Sequence, residues 1–169
     1  MEIERRRSKS AATIRAMKNE DLPAALALWK RTEGLVLGES DNLKTLSSFL
    51  ARNRSLSSAA MIRGRFVGAV LCGHDAWRGF LYHLAVDAAH RRKGIAKLLC
   101  ERSLNRLRKA GITRCSIHVL TDNDSGLEFW YRAGWTRRDN IKLMQFQLQT
   151  PKDRRQKPAS APARKMKRA

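Results

Sequence analysis

Twenty residues hold most of the chemistry: Leu81-Tyr-His-Leu-Ala-Val-Asp-Ala-Ala-His-Arg-Arg-Lys-Gly-Ile-Ala-Lys-Leu-Leu-Cys100. An apolar, strand-like run leads into a basic turn, Arg91-Arg92-Lys93, and the turn opens through Gly94 onto a helical pattern. A helix start presents up to four unpaired N–H groups and a partial positive charge. Gly94 lets backbone approach a ligand with no Cβ in the way, and Ala96 is nearly as small. The three cations sit at the same mouth, so the turn reads as an anion cradle suited to phosphate or pyrophosphate. The plainer reading is an ordinary strand-to-helix loop with a solvated basic run. The turn is not a P-loop, because no Gly-Lys-Ser/Thr follows, and it lacks the first glycine of a dinucleotide fingerprint.

Proton-transfer candidates are fewer. Tyr82 and His83 lie on the strand before the cradle, and His74 and Asp75 end the neighbouring one. Strand alternation puts Tyr82 on the face with Leu84 and His83 on the other. Histidine has an ordinary pKa of about 6.5, suited to a general base, although a lone strand histidine can equally be structural. Cys72, Cys100 and Cys115 are odd in number and lack metal-ligand spacing. They read as reduced, mostly buried thiols of a cytosolic protein.

These residues need a scaffold, and hydrophobic periodicity outlines it. Thr13 to Met17 reads as a strand. Asn19-Glu20-Asp21 with Pro23 starts a helix carrying Leu26, Leu28 and Trp29. Gly34 and Gly38 break it, and Asn42 begins a second helix with Leu43, Leu46, Phe49 and Leu50 on one face. Ala59 to Arg63 and Phe66 to Gly73 form a hairpin about Arg63-Gly64, and Gly79 to Val86 is a further, nearly all-apolar strand. A long helix from about Lys93 to Lys109 turns Ile95, Leu98, Leu99, Leu104 and Leu107 inward and ends at Gly111. Arg114 to Leu120 is a strand, Ser125 to Ala133 a helix closed by Gly134, and Ile141 to Gln149 a last strand. The order, β-α-α-β-β-β-α-β-α-β, predicts an α+β fold. It is a mixed, mostly antiparallel sheet of about six strands with helices on both faces.

The 169 residues suit one domain, and 43% hydrophobic residues allow a real core. No apolar stretch reaches the roughly 20 residues of a membrane span, and no signal-like apolar region follows the N-terminal arginines. Net charge is +20, of which +7 falls in the last nineteen residues and +2 in the first twelve, leaving +11 for the body. The expected division is a basic extension over 1–11, a folded domain over 12–149 and a basic, Pro- and Ala-containing disordered tail over 150–169. Such charge attracts anionic ligands. Nucleic acid and a phosphate-rich cofactor both fit, but no helix-turn-helix, zinc finger or RNP-type aromatic strand is present.

Two signatures narrow this. Arg91-x-x-Gly94-x-Ala96 resembles the Arg/Gln-x-x-Gly-x-Gly/Ala motif of the GNAT acetyltransferases, between the expected strand and helix. Asn123-Asp-Ser-Gly126-Leu-Glu-Phe-Trp-Tyr-Arg-Ala-Gly134-Trp135 resembles their second signature: an Asn after the fifth strand, a short helix, then Gly-aromatic. The resemblance covers roughly residues 12–149. It implies a sheet splayed between its fourth and fifth strands and acetyl-CoA as cofactor. The reaction implied is acetyl transfer to a primary amine of a small molecule, or to a protein N-terminus or lysine. It implies main-chain contacts from Leu84, Ala85 and Val86 to the pantetheine arm. Arg91, Arg92, Lys93, Gly94, Ile95, Ala96 and Lys97 would hold the pyrophosphate. Asn123 would bond the pantetheine from across the splay, or else serve as a helix cap.

The family's usual tyrosine acid falls here on Trp130, whose indole has no useful acidic proton and which would pack on the pantetheine or the core. Tyr131, adjacent but about 100° round the helix, is the alternative acid. His83 is the candidate base. Glu33 and Glu39, in the loop that lines the acceptor site in this family, are candidate amine contacts. A cytoplasmic location and a homodimer are compatible with this reading. The rival functions are an acetyl-CoA-binding fold without catalysis and a basic nucleic-acid-associated protein.

Overall fold

In the computed structural model the described residues are 12–148. The proposed N-terminal extension and basic tail, and Gln149 of the expected last strand, lie outside them. Five strands and four α-helices follow in the order β1 (Thr13–Ala16), α1 (Leu22–Lys30), α2 (Leu43–Arg52), β2 (Ser58–Ile62), β3 (Arg65–His74), β4 (Gly79–Val86), α3 (Ile95–Lys109), β5 (Cys115–Ile117) and α4 (Asp124–Arg132). The sheet order is β1-β2-β3-β4-β5. The first three pairings are antiparallel, and the pair β4/β5 across the α3 crossover is parallel. A parallel pair needs such a crossover.

Alternation along the strands divides the core. Ala60, Val70, Cys72, Leu81 and Val86 face α3, with its Ile95, Leu99, Cys100 and Leu107. Ala59, Ala69, Leu71 and Ala85 face α1 and α2, with Leu28, Trp29, Leu46 and Leu50. Helices therefore cover both faces, as the sequence implies. Leu43 and Leu98, expected inward, are exposed, and Cys100 and Ser103 take inward places on α3. Ser103 is tolerated there because its hydroxyl bonds Ser58 Oγ and the Leu56 carbonyl, both at 2.8 Å.

Two sequence expectations are corrected. The sheet has five strands rather than about six. The chain divides after Trp135, and residues 141–148 form no strand although Lys142, Gln145 and Gln147 are interleaved with Ile141, Leu143, Phe146 and Leu148 in a strand-like pattern. Amphipathic pattern alone makes no strand, because a strand exists through its ladder bonds, and none is formed here. Those apolar side chains are exposed.

The second correction lies in β4. The register with β3 runs Gly68↔Val86 and Ala69↔Ala85, then Leu71↔Tyr82, so β4 carries one extra residue. The extra residue is accommodated at His83, whose φ is +51°. This β-bulge reverses the alternation. Tyr82 and Leu84 lie on opposite faces: Tyr82 packs with the α1/α2 core and Leu84 with the α3 core. His83 joins Tyr82 on the α1/α2 side, where its ring lies 5.1 Å from that of Trp29.

Candidate active site: an open strand edge and a helix N-terminus

The β4/β5 ladder stops at Leu81↔Ile117, yet β4 continues to Val86. Beyond Leu81 the edge of β4 toward β5 is unpaired among the described residues. The direction of its backbone groups follows from its ends. Gly79 N–H donates to the Arg114 carbonyl on the β5 side at 2.8 Å, and Asp87 N–H to the Val67 carbonyl on the β3 side at 2.8 Å. Counting back from Asp87 by alternation, Val86 and Leu84 turn their N–H and C=O groups away from β3, into the opening. Ala85 faces β3 and its side chain is buried, so it supports the edge without lining it.

The cradle follows directly. Asp87 Oδ1 accepts from Ala89 N–H and caps a single turn, Ala88–His90. The Arg31 guanidinium, 2.9 Å from Asp87, together with that backbone bond holds this carboxyl below the usual carboxylate range. Arg91 Nε donates to the Val86 carbonyl at 3.1 Å, and Lys93 Nζ to the Ala89 carbonyl at 3.0 Å. Arg92 and Gly94 are left-handed, at φ +60° and +77°. Regular helix therefore begins at Ile95 rather than Lys93. Gly94 is the N-cap and has no side chain to bond the first turn. The N–H groups of Ile95, Ala96 and Lys97 precede the first intrahelical bond, Leu98 N–H to the Gly94 carbonyl. A Cβ on Gly94 would meet nothing within 4 Å, so the cradle opens outward. Ile95 anchors it in the core, whereas the Lys97 side chain points to solvent near Glu101.

A second group of residues gathers about His83. Its Nε2 lies 2.7 Å from Asp41 Oδ1, and both side chains are largely buried. Asp41 is fixed in turn by Gly38 N–H, 2.7 Å from Oδ2. If Asp41 accepts the Nε2 proton, Nδ1 is left as the nitrogen with a lone pair. Asp41 shares its loop with Glu33 and Glu39, and nothing in the sequence ties position 41 to a strand 42 residues away. Two buried side-chain nitrogens lack a hydrogen-bond partner among the described residues. They are Trp29 Nε1, beside His83, and His90 Nδ1, in the turn before the cradle.

The remaining candidates are dispersed. Asn123 caps α4 through Gly126 N–H at 2.9 Å, and its Nδ2 donates to the Gly34 carbonyl at 3.3 Å. It thereby ties the α1–α2 loop to the start of α4. A cavity of about 370 Å³ opens at this junction, lined by Glu33, Gly34, Leu120, Asp122, Asn123 and Asp124 among others. Trp130 is half-buried in an edge-to-face row, its ring 5.0 Å from those of Phe129 and Trp135. Tyr131 is exposed, with no side-chain hydrogen bond among the described residues. His74 ends β3 and Asp75 follows it in the next turn, at the far end of that strand. Burial pushes the Cys72 and Cys100 thiols up to about 12 and Cys115 to about 11, so none is poised as a thiolate near neutral pH.

This architecture, a mixed sheet parted beside a helix N-terminus, defines a class. The sequence profile of the acetyltransferase (GNAT) family matches residues 15–135, and the chain belongs to that family. Its cofactor is acetyl-CoA, and the uncapped α3 N-terminus, with the basic turn before it, fits a pyrophosphate. Solved structures of similar fold include the following three. The Ard1 protein of Thermoplasma volcanium has a TM-score of 0.67 at 19% identity, covering 75% of this chain and 83% of that one. The PaiA N-acetyltransferase of Thermoplasma acidophilum, in complex with coenzyme A, has 0.67 at 21%, covering 78% and 93%. The ribosomal-protein-S18-alanine N-acetyltransferase of Escherichia coli has 0.61 at 22%, covering 73% and 77%. Among the described residues no helix is long and apolar enough to cross a membrane, and no His/Cys/Asp/Glu group could hold a metal ion.

Proposed function

We propose that the protein is an N-acetyltransferase that moves the acetyl group of acetyl-CoA to a primary amine, with His83 as general base and Asp41 as its positioning partner. The observation that carries this reading is the β4 bulge. It sets an imidazole in the left-handed region, pairs it with a carboxylate and leaves it beside the open edge of the sheet. A non-glycine residue there costs about 1–2 kcal/mol, and such strain collects at functional sites.

Acetyl-CoA, when bound, supplies an activated acetyl thioester. The α3 N-terminus and Arg91, Arg92 and Lys93 serve its pyrophosphate, and the Leu84 and Val86 edge serves its pantetheine arm. The Val86 carbonyl is already bonded by Arg91, so Leu84 is the freer partner. The acceptor amine arrives protonated and must lose a proton to attack. Nδ1 of His83 takes that proton, directly or through water, while Asp41 steadies the imidazolium. The cavity beside Asn123 carries Glu33, Asp122 and Asp124 in a chain of net charge +20, which favours a cationic amine at this entrance. Small amines and protein N-termini or lysines share that chemistry, and one protein of similar fold is a ribosomal-protein-S18-alanine N-acetyltransferase. Tyr131, turned to solvent, is a poor acid, and a leaving thiolate with an ordinary pKa of about 8.5 can take its proton from water.

Amine-dependent release of free thiol, followed across a panel of amines and peptides, tests this. His83→Ala should lower kcat/KM by about 10²–10⁴-fold and change the shape of its pH profile. Unchanged acetyl-CoA affinity would exclude a collapsed site. A profile of unaltered shape in His83→Ala would remove His83 from proton transfer.

A further inference from the structure

The opposite end of the sheet carries a second, differently charged cavity. It has a volume of about 360 Å³ and is lined by Arg52, Arg54, His74, Arg106 and Lys109 around a floor that includes Asn53 and Leu56. Arg52 ends α2, Arg54 lies in the turn after it, His74 ends β3, and Arg106 and Lys109 share the face of the last turn of α3. The cradle sits at the other end of the 15-residue α3, roughly 20 Å away at 1.5 Å per residue. The cavity is therefore distinct from the cofactor site.

Its charge is uncompensated. No carboxylate lines it. Among the described residues Arg52, Arg54, Arg106 and Lys109 form no ion pair and donate no side-chain hydrogen bond, and all four are exposed. The nearby carboxylate of Asp75 accepts from Trp77 and Arg78 N–H in its own turn. Behind the wall, Arg102 is committed to the Ser55 and Ser57 carbonyls and Ser58 Oγ. Burial first, and Arg106 second, hold its pKa below the usual value, so Arg106 is near enough to Arg102 to repel it. Cations at the ends of α2 and α3 complement the helix dipoles, but that accounts neither for Arg54 nor for convergence on one hollow. The floor is buried: Asn53 donates to the Phe49 carbonyl and accepts from His74 N–H, and Leu56 is apolar. Four flexible cations over a buried floor suit successive phosphates of a chain-like polyanion. They need no base-reading motif, because phosphate contacts carry affinity without sequence.

We propose that this cavity is a docking site for the phosphate backbone of a nucleic acid, separate from and simultaneous with acetyl-CoA binding. The test is fluorescence anisotropy of the full chain with a labelled duplex DNA and, in a second arm, a single-stranded RNA, over a range of KCl concentrations. The parent should bind at least one of the two. The variant Arg52→Gln/Arg54→Gln/Arg106→Gln/Lys109→Gln should bind about tenfold or more weakly at low salt. Its log K against log salt should be shallower by up to about 3.6 on duplex or about 2.8 on single strands, at 0.9 or 0.7 per lost contact. The pair Arg54→Gln/Lys109→Gln should give about half that change, which guards against a folding defect in the fourfold variant. Calorimetry with acetyl-CoA should be unaltered in both variants. Failure of the parent to bind either polymer would overturn the proposal. So would a salt slope unchanged in the variants, or displacement of the oligonucleotide by acetyl-CoA.

Discussion

Substitutions at Gly94 are expected to separate folding from cofactor binding. Its φ of +77° disfavours any side chain, and a Cβ there would meet nothing within 4 Å. Gly94→Ala therefore carries only backbone strain, about 1–2 kcal/mol, which lowers Tm by about 3–10 °C for a domain of this size. Gly94→Glu carries the same strain but regains about 0.3–1 kcal/mol, because a carboxylate at a helix N-terminus is favourable. The free Glu variant should thus melt at or slightly above the Ala variant. Binding should invert this order. A carboxylate within about 4 Å of a phosphate charge costs about 1–4 kcal/mol across effective dielectrics of 80 to 20, and it competes for the same N–H groups. Acetyl-CoA affinity, by calorimetry, should fall about tenfold in Gly94→Ala and at least about 100-fold in Gly94→Glu. Parental affinity in Gly94→Glu would refute the cradle. So would a Glu variant that loses binding only because it melts far below Gly94→Ala.

Three further outcomes follow from named contacts. Asp41→Asn should lower kcat less than His83→Ala and displace the pH–rate profile while acetyl-CoA affinity holds; an unmoved profile would leave Asp41 a loop fastener only. Tyr131→Phe should cost less than about tenfold, well short of the 10²–10⁴ of a placed general acid, and a collapse with folding intact would restore a tyrosine acid. Asp21, buried, is opposed by desolvation but held below the usual carboxylate pKa by Arg15 at 2.6 and 2.7 Å and by Lys18 N–H. Its contribution is thus present above the ordinary carboxylate pKa and lost as pH falls through the lower folded value. Asp21→Asn should destabilise by about 2 kcal/mol at pH 7 in denaturant melts, and the gap from the parent should close below about pH 4.

The parts of this architecture set by local chemistry were legible in the sequence. Gly79–Val86 reads as a strand because its apolar run has a glycine at one end and an aspartate cap at the other, and the helix after Gly94 follows from its 3.6-residue spacing. What depends on partners was not. The bulge at His83 has no glycine or proline to mark it, so strict alternation misplaces Leu84 relative to Tyr82. β5 stops at Ile117 although its pattern runs to Leu120, because β4 and β5 part there. Residues 141–148 have a strand's pattern and no ladder. Asp41 became visible only when the α1–α2 loop was folded against β4. The turn before α3 needed no such partner to be read: Arg91, Gly94 and Ala96 lie within six residues at one helix end.

The most direct test of acetyl-CoA seated along β4 and the α3 N-terminus is residue-resolved. Backbone amide shifts of the isotope-labelled chain should be followed as acetyl-CoA is added. Saturable shifts should concentrate at Leu84, Val86 and Gly94 through Lys97, with Arg52 through Leu56 unmoved. Shifts gathered about Arg52, Arg54 and Arg106 instead, or none at Gly94 through Lys97 at saturating cofactor, would contradict that seating.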